Sequence, residues 1–117
     1  MNIIILFLLT LLRKDFISYK KRFNLIEKVQ VHHVIPLMHR DHKNLLYHNY
    51  DINAGYNLIF MPTEYGKKCL NTKRRIHDGG HLKYNKYVLE LLDRNMTPFE
   101  INNLLKNKIK NNEEIPW

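Results

Sequence analysis

Two short apolar runs, each stopped by a proline, set the frame for this chain. Val29 to Ile35 reads VQVHHVI and meets Pro36, while Asn57 to Met61 reads NLIFM and meets Pro62. β-Branched residues suit a pleated surface and proline lacks the N–H that a ladder needs, so both runs are expected to be short strands ending in turns. Between them lies the polar, basic stretch MHRDHKNLLYHNYDIN, in which Leu45, Leu46 and Tyr47 suggest one short helix.

Helices are expected on the far side of the second run. Glu64 to Arg75 is basic and reads as irregular, and Gly79-Gly80 interrupts any helix that would cross it. Tyr84, Tyr87, Val88, Leu91 and Leu92 then recur at helical spacing, which predicts a helix over Leu82 to Asp93 with that face buried. Thr97-Pro98-Phe99-Glu100 is a capping box with proline at the first helical position, and Phe99, Ile101, Leu104, Leu105 and Ile109 give the helix that follows an apolar face. It should fray near Asn111 and Asn112.

Ahead of the strands, Ile3 to Leu12 reads IIILFLLTLL and runs into the basic stretch Arg13 to Arg22. This apolar segment falls well short of the roughly twenty residues of a membrane-spanning helix. It also lacks the basic start and small-residue cleavage site of an export signal, so it reads as a buried or partner-docked helix with no clear membrane span. A chain of 117 residues holds one compact core, and the expectation is a single α+β domain. Its parts are an N-terminal apolar and basic helical segment over 1–28, a core over 29–93 and a C-terminal helix over 94–117.

Nineteen Lys and Arg against eleven Asp and Glu leave a formal charge of +8. Such a surface attracts polyanions by counterion release, although a solvated basic surface without a partner accounts for the number equally well. Cys69 is the only cysteine, which excludes an intrachain disulfide and a cysteine-based zinc ribbon. Any metal would have to be held mainly by the seven histidines.

Five residues in three places draw attention: His32-His33 on the first strand, Asn57 at the start of the second, and His77-x3-His81 just before a helix. The last spacing can bring two imidazoles to one side of a helical turn, within about 2 Å of a shared cation. The intervening glycines favour a tight loop doing the same work. A third imidazole from a neighbouring strand would still leave open positions for water and a phosphate oxygen, as hydrolysis requires. Adjacent strand residues point to opposite faces, so one of His32 and His33 can bind metal while the other takes a proton from water. Read singly, each feature is as easily structural. His39, His42 and His48 match no ligand pattern and read as loop histidines.

Taken together, VHHVIP, DINAGYNLIFMPT and HDGGHLKYNKYV resemble the AHH group of HNH (His-Me finger) nucleases, over about Val31 to Val88. Val31 departs from the alanine that gives the group its name and reads as a packing position. The resemblance implies a small ββα-metal core with flanking helices, in which the 29–93 core is the nuclease. By position, His32, His77 and His81 would hold one divalent ion, His33 would be the general base, and Asn57 would hydrogen-bond the backbone near the base and so align its imidazole. Arg74, Arg75 and Lys83 flank these residues and are candidate contacts to the nucleic-acid backbone, each equally readable as a solvated charge. Three imidazoles suit Zn, Ni or Mn better than Mg, which the wider family often uses, so the metal stays open among the four.

The expected activity is endonucleolytic hydrolysis of phosphodiesters, in DNA rather than RNA, with low sequence specificity because no base-reading helix is visible. A toxin, a viral enzyme or a defence protein would each fit, the first bringing an inhibitor or immunity protein as partner. The competing reading is a non-catalytic, metal-stapled nucleic-acid-binding module, which predicts a closed four-ligand site and no spare histidine.

Overall fold

A computed structural model describes residues 13–117; the apolar Ile3 to Leu12 stretch lies outside them. The described residues form five α-helices and a two-stranded antiparallel sheet. In chain order these are α1 (Arg13–Arg22), β1 (Val29–His33), α2 (Lys43–Tyr47), β2 (Leu58–Pro62), α3 (Glu64–Cys69), α4 (Leu82–Asp93) and α5 (Pro98–Lys110). Short 3₁₀ turns at Leu37–His39 and Gly55–Asn57 flank the loop between the strands. Among the described residues no helix is long and apolar enough to cross a membrane.

The strands pair in the register Val31↔Phe60, His32↔Ile59 and His33↔Leu58. β1 stops at His33, two residues short of the apolar run, because Asn57 takes over its ladder. The Val34 amide donates to the Asn57 backbone oxygen at 2.8 Å, and the Ile35 amide donates to its side-chain Oδ1 at 2.9 Å. Asn57 itself closes the 3₁₀ turn, one residue ahead of β2.

α4 and α5 occupy the ranges that periodicity and capping predict. Tyr84, Val88 and Leu92 of α4 and Ile101, Leu105 and Ile109 of α5 are wholly buried in one core with Val34, Ile35 and Met61. Burying each such side chain contributes roughly 1.5–3 kcal/mol. Thr97 accepts from the Glu100 amide at 3.3 Å, as the capping box requires. Phe99 departs from the expected buried face: it is half exposed, its ring resting against Tyr50 and Tyr56. Asn95 and Asn112 take left-handed backbone just past α4 and α5, a conformation asparagine tolerates, and so end both helices.

The segment Glu64 to Arg75, expected to be irregular, opens with α3. Thr63 caps it, accepting from the Gly66 amide at 2.9 Å and donating its own hydroxyl to the Glu27 carbonyl at 2.8 Å. Gly66 is needed there for a different reason: a Cβ at that position would stand 1.7 Å from the Lys28 carbonyl oxygen. A helix of six residues with a central glycine carries too little periodicity to be read from sequence.

Candidate metal and catalytic site

β1 delivers His32 to the sheet face that packs on α4, where it is 2 % exposed and its ring lies 5.0 Å from that of Tyr84. The loop from Ile76 to Gly80 brings in the other two rings. His77 and His81 stand 5.0 and 5.3 Å from His32 and 5.2 Å from each other, centroid to centroid, so the imidazoles form a nearly equilateral triangle. One ligand nitrogen from each lies within 4.8 Å of the others. Two nitrogens about 2.1 Å from one tetrahedral ion would be separated by roughly 3.4 Å, so a small inward turn of the rings suffices to share a cation.

The 77–81 segment is a loop rather than a helical turn, with Gly79 in left-handed backbone. His81, which directly precedes α4, is left-handed as well, at φ 42° and ψ 48°. A residue with a Cβ incurs about 1–2 kcal/mol in that region, and such strain gathers at functional sites. Here it points the imidazole back across the helix N-terminus toward His32.

Two of the rings are oriented by amide oxygens. Nδ1 of His77 donates to Gln30 Oε1 at 2.5 Å, and Nδ1 of His81 donates to Asn85 Oδ1 at 2.9 Å. Each bond fixes the proton on Nδ1 and leaves Nε2 with a free lone pair, the arrangement that metal-binding histidines use. Nε2 of His32 is buried and has no hydrogen-bond partner among the described residues. Burial, followed by the nearby His77 and His81 rings, lowers the His32 pKa to about 2, and burial and His81 lower that of His77. These rings are therefore held neutral, as ligands must be. A buried, unpartnered imidazole nitrogen grouped with two more imidazoles fits a divalent ion.

Trp117 roofs the triangle. Its indole ring lies 5.1–5.7 Å from all three histidines, its Nε1 donates to the Asp78 carbonyl at 2.6 Å, and its own carbonyl accepts from the Lys83 amide at 3.0 Å.

His33 faces the opposite side of the sheet, with Leu58 as its cross-strand partner. Its Nε2 donates to Asn53 Oδ1 at 3.1 Å, which leaves the lone pair on Nδ1. Asn57 is fully buried, and its side chain hydrogen-bonds backbone and Tyr50 rather than an imidazole. Its Nδ2 donates to the Ile35 and Ile52 carbonyls at 3.0 and 2.8 Å, and its Oδ1 accepts from the Ile35 amide and from the Tyr50 hydroxyl at 2.6 Å. It fixes the backbone just past His33.

The three basic residues part company. Arg75 lies over the Trp117 ring at 4.4 Å, beside the triangle. Lys83 is exposed at the start of α4. Arg74 turns elsewhere, donating to the Phe60 carbonyl at 2.8 Å. Sequence reasoning missed Gln30, Asn53 and Trp117, whose roles depend on long-range contacts. Asn85 had a readable signal, standing four residues after His81 on a helix face.

A family model described as a nuclease family of the HNH/ENDO VII superfamily with conserved AHH matches residues 15–115, a span that takes in every residue of the triangle together with His33 and Asn57. No curated protein and no solved structure matches the chain.

Proposed function

The chain belongs to the AHH nuclease family of the HNH/ENDO VII superfamily, and on that premise we propose that it is a metal-dependent endonuclease. It hydrolyses phosphodiester bonds of nucleic acid, DNA in preference to RNA and with low sequence specificity. In this reading β1, β2 and α4 are the ββα-metal core. The observation that carries it is the division of the histidine pair: His32 joins His77 and His81 in a triad of imidazoles, and His33, one residue on, faces away with its proton placed by Asn53.

His32, His77 and His81 would hold the ion, through Nε2 in the case of His77 and His81. What such an ion supplies is Lewis-acid stabilisation of the negative charge that builds on the phosphoryl and leaving oxygens. His33 takes a proton from the attacking water at Nδ1, while Asn53 holds its other nitrogen and Asn57 holds the backbone beyond it. Asn57 thereby acts as a positioning residue. Arg75 and Lys83, at the edge of the triangle, steady the phosphodiester backbone. Three histidine ligands leave positions open to solvent and substrate, which a closed structural site would not.

Plasmid digestion tests this reading, with EDTA and then with Zn, Mn, Ni or Mg returned singly. The expected result is nicking that EDTA abolishes and at least one metal restores. His33→Ala should bind that metal as wild type does and lose at least about a hundredfold in rate, the scale of a missing general base. Equal cutting by His33→Ala would overturn the base assignment, and EDTA-resistant cutting would overturn the metal dependence.

A further inference from the structure

Arg74 leaves the histidine triangle for a second basic feature. It lines a cavity of about 190 Å³ with Lys106 and Lys110 of α5, walled by Phe16 of α1 and by Leu58, Ile59 and Phe60 of β2. None of the described lining residues is acidic. Lys106 and Lys110 stand one helical turn apart on α5, so their ammonium groups share a face. Burial, then Lys110 and Arg74, lower the Lys106 pKa to about 8, and burial lowers that of Arg74. Three cations crowded into a half-buried, apolar-walled cavity repel one another, and an anion resting among them would relieve that repulsion.

The position of the cavity identifies the anion. Directly opposed residues of an antiparallel pair project to the same face, so Leu58 and its partner His33 share one, and Phe60 continues it. The cavity therefore adjoins the His33 face through Leu58 and Phe60, while Ile59 between them pairs with His32. A strand whose scissile phosphate is presented to His33 runs on along this face. We propose that Arg74, Lys106 and Lys110 form a phosphate subsite that grips the nucleic-acid backbone away from the bond being cut. The assignment rests on the nuclease reading for its ligand class; the site itself is independent of the metal.

Binding without cutting tests it. Anisotropy of a fluorescein-labelled DNA duplex is followed against KCl in EDTA, with wild type, Lys106→Gln/Lys110→Gln and Lys110→Gln. The slope of log affinity against log salt should fall by about 1.8 in the double variant and by about half that in the single one, since each phosphate contact contributes about 0.9. Lys106→Arg/Lys110→Arg should keep the wild-type slope. Lys43→Gln/Lys68→Gln removes the same charge from exposed positions elsewhere and should move the slope far less. An unchanged slope in the double variant, or an equal fall in the Lys43/Lys68 control, overturns the subsite. Lys110 is exposed and its replacement leaves the core intact, so an unchanged slope there overturns its share even if the double variant fails to fold. Absence of plasmid cleavage by wild type with the predicted slope changes intact would remove the nuclease reading and leave the subsite standing.

Discussion

Six of the seven histidines fall into two regions that differ in whether their nitrogens converge. In the loop between the strands each imidazole hydrogen-bonds the protein through at least one nitrogen, and the three rings form no shared cluster. His39 Nε2 donates to the Asn85 carbonyl at 2.9 Å, and His48 Nδ1 to the Asn44 carbonyl at 2.9 Å. His42 uses both nitrogens, Nδ1 accepting from the Asn44 amide at 3.0 Å and Nε2 meeting the Asp93 carboxylate at 2.8 Å. In the triangle, His77 and His81 each engage one nitrogen with an amide oxygen, and His32 Nε2 has no partner among the described residues. A histidine becomes a ligand candidate where an oriented nitrogen converges with those of two other rings, which among the described residues happens in the triangle alone. Asn85 joins the regions, its carbonyl holding His39 and its side chain aiming His81.

Metal titration offers the sharpest way to break that contrast. Zinc at a hundredfold excess over its Kd should stabilise the wild-type fold by about 2.7 kcal/mol, a rise of roughly ten degrees or more in Tm for a domain near this size. His32→Ala should lose the rise, and His48→Ala, exposed in the loop, should keep it. A His32→Ala protein that zinc stabilises as strongly as wild type would dissolve the distinction.

Removing the orienting groups sharpens it further. Gln30→Ala and Asn85→Ala leave every ligand in place and free only one ring, so calorimetric titration should show metal binding weakened roughly tenfold to a hundredfold. Melting in EDTA should hardly move for Gln30→Ala, whose side chain is exposed. The loop histidines predict the converse. His42→Ala removes the cap of α2 and a contact with α4, and urea unfolding should show a loss of about 1–2 kcal/mol with nicking rates unchanged. A His42→Ala protein of wild-type stability, or one that no longer cuts, would put it in the other class.

Local signals explain how much of this was legible. The ranges of α4 and α5 could be read because periodicity, a Thr-Pro-x-Glu cap and asparagine stops all lie within a turn or two of the residues they govern. The opposite facing of His32 and His33 follows from strand geometry alone. Asn57 could be placed only to within a residue, since its pairing with Ile35 depends on a contact 22 residues away. α3 was hidden because the Lys28 backbone, not its own composition, fits Gly66 into place. Asn53, Gln30 and Trp117 act across separations that no spacing rule reaches. Arg74 and Arg75 are neighbours in sequence yet face different pockets, a division visible only once Phe60 and Trp117 have positions.

The smallest effect expected is a gain in stability, and it comes from the cation pocket. Lys106 is charged in both folded and unfolded chains at neutral pH, so the fold bears there the full cost of burying that charge, with the smaller repulsion from Lys110 and Arg74 added. Between about pH 8 and the ordinary lysine value of 10.5, the unfolded chain keeps a proton that the native one has released. Unfolding free energy contributed by this group therefore rises with pH across that window. Lys106→Gln removes the buried charge and its repulsion at the outset. Because the group is only partly buried, solvent screening keeps the gain below about 1 kcal/mol at neutral pH. The variant should melt a few degrees above wild type in nucleic-acid-free buffer, and the gap should close as the pH approaches 10.5. A variant that melts lower at neutral pH, or a gap that persists into that range, would mean that Lys106 is held by favourable packing of its stem rather than strained by its charge.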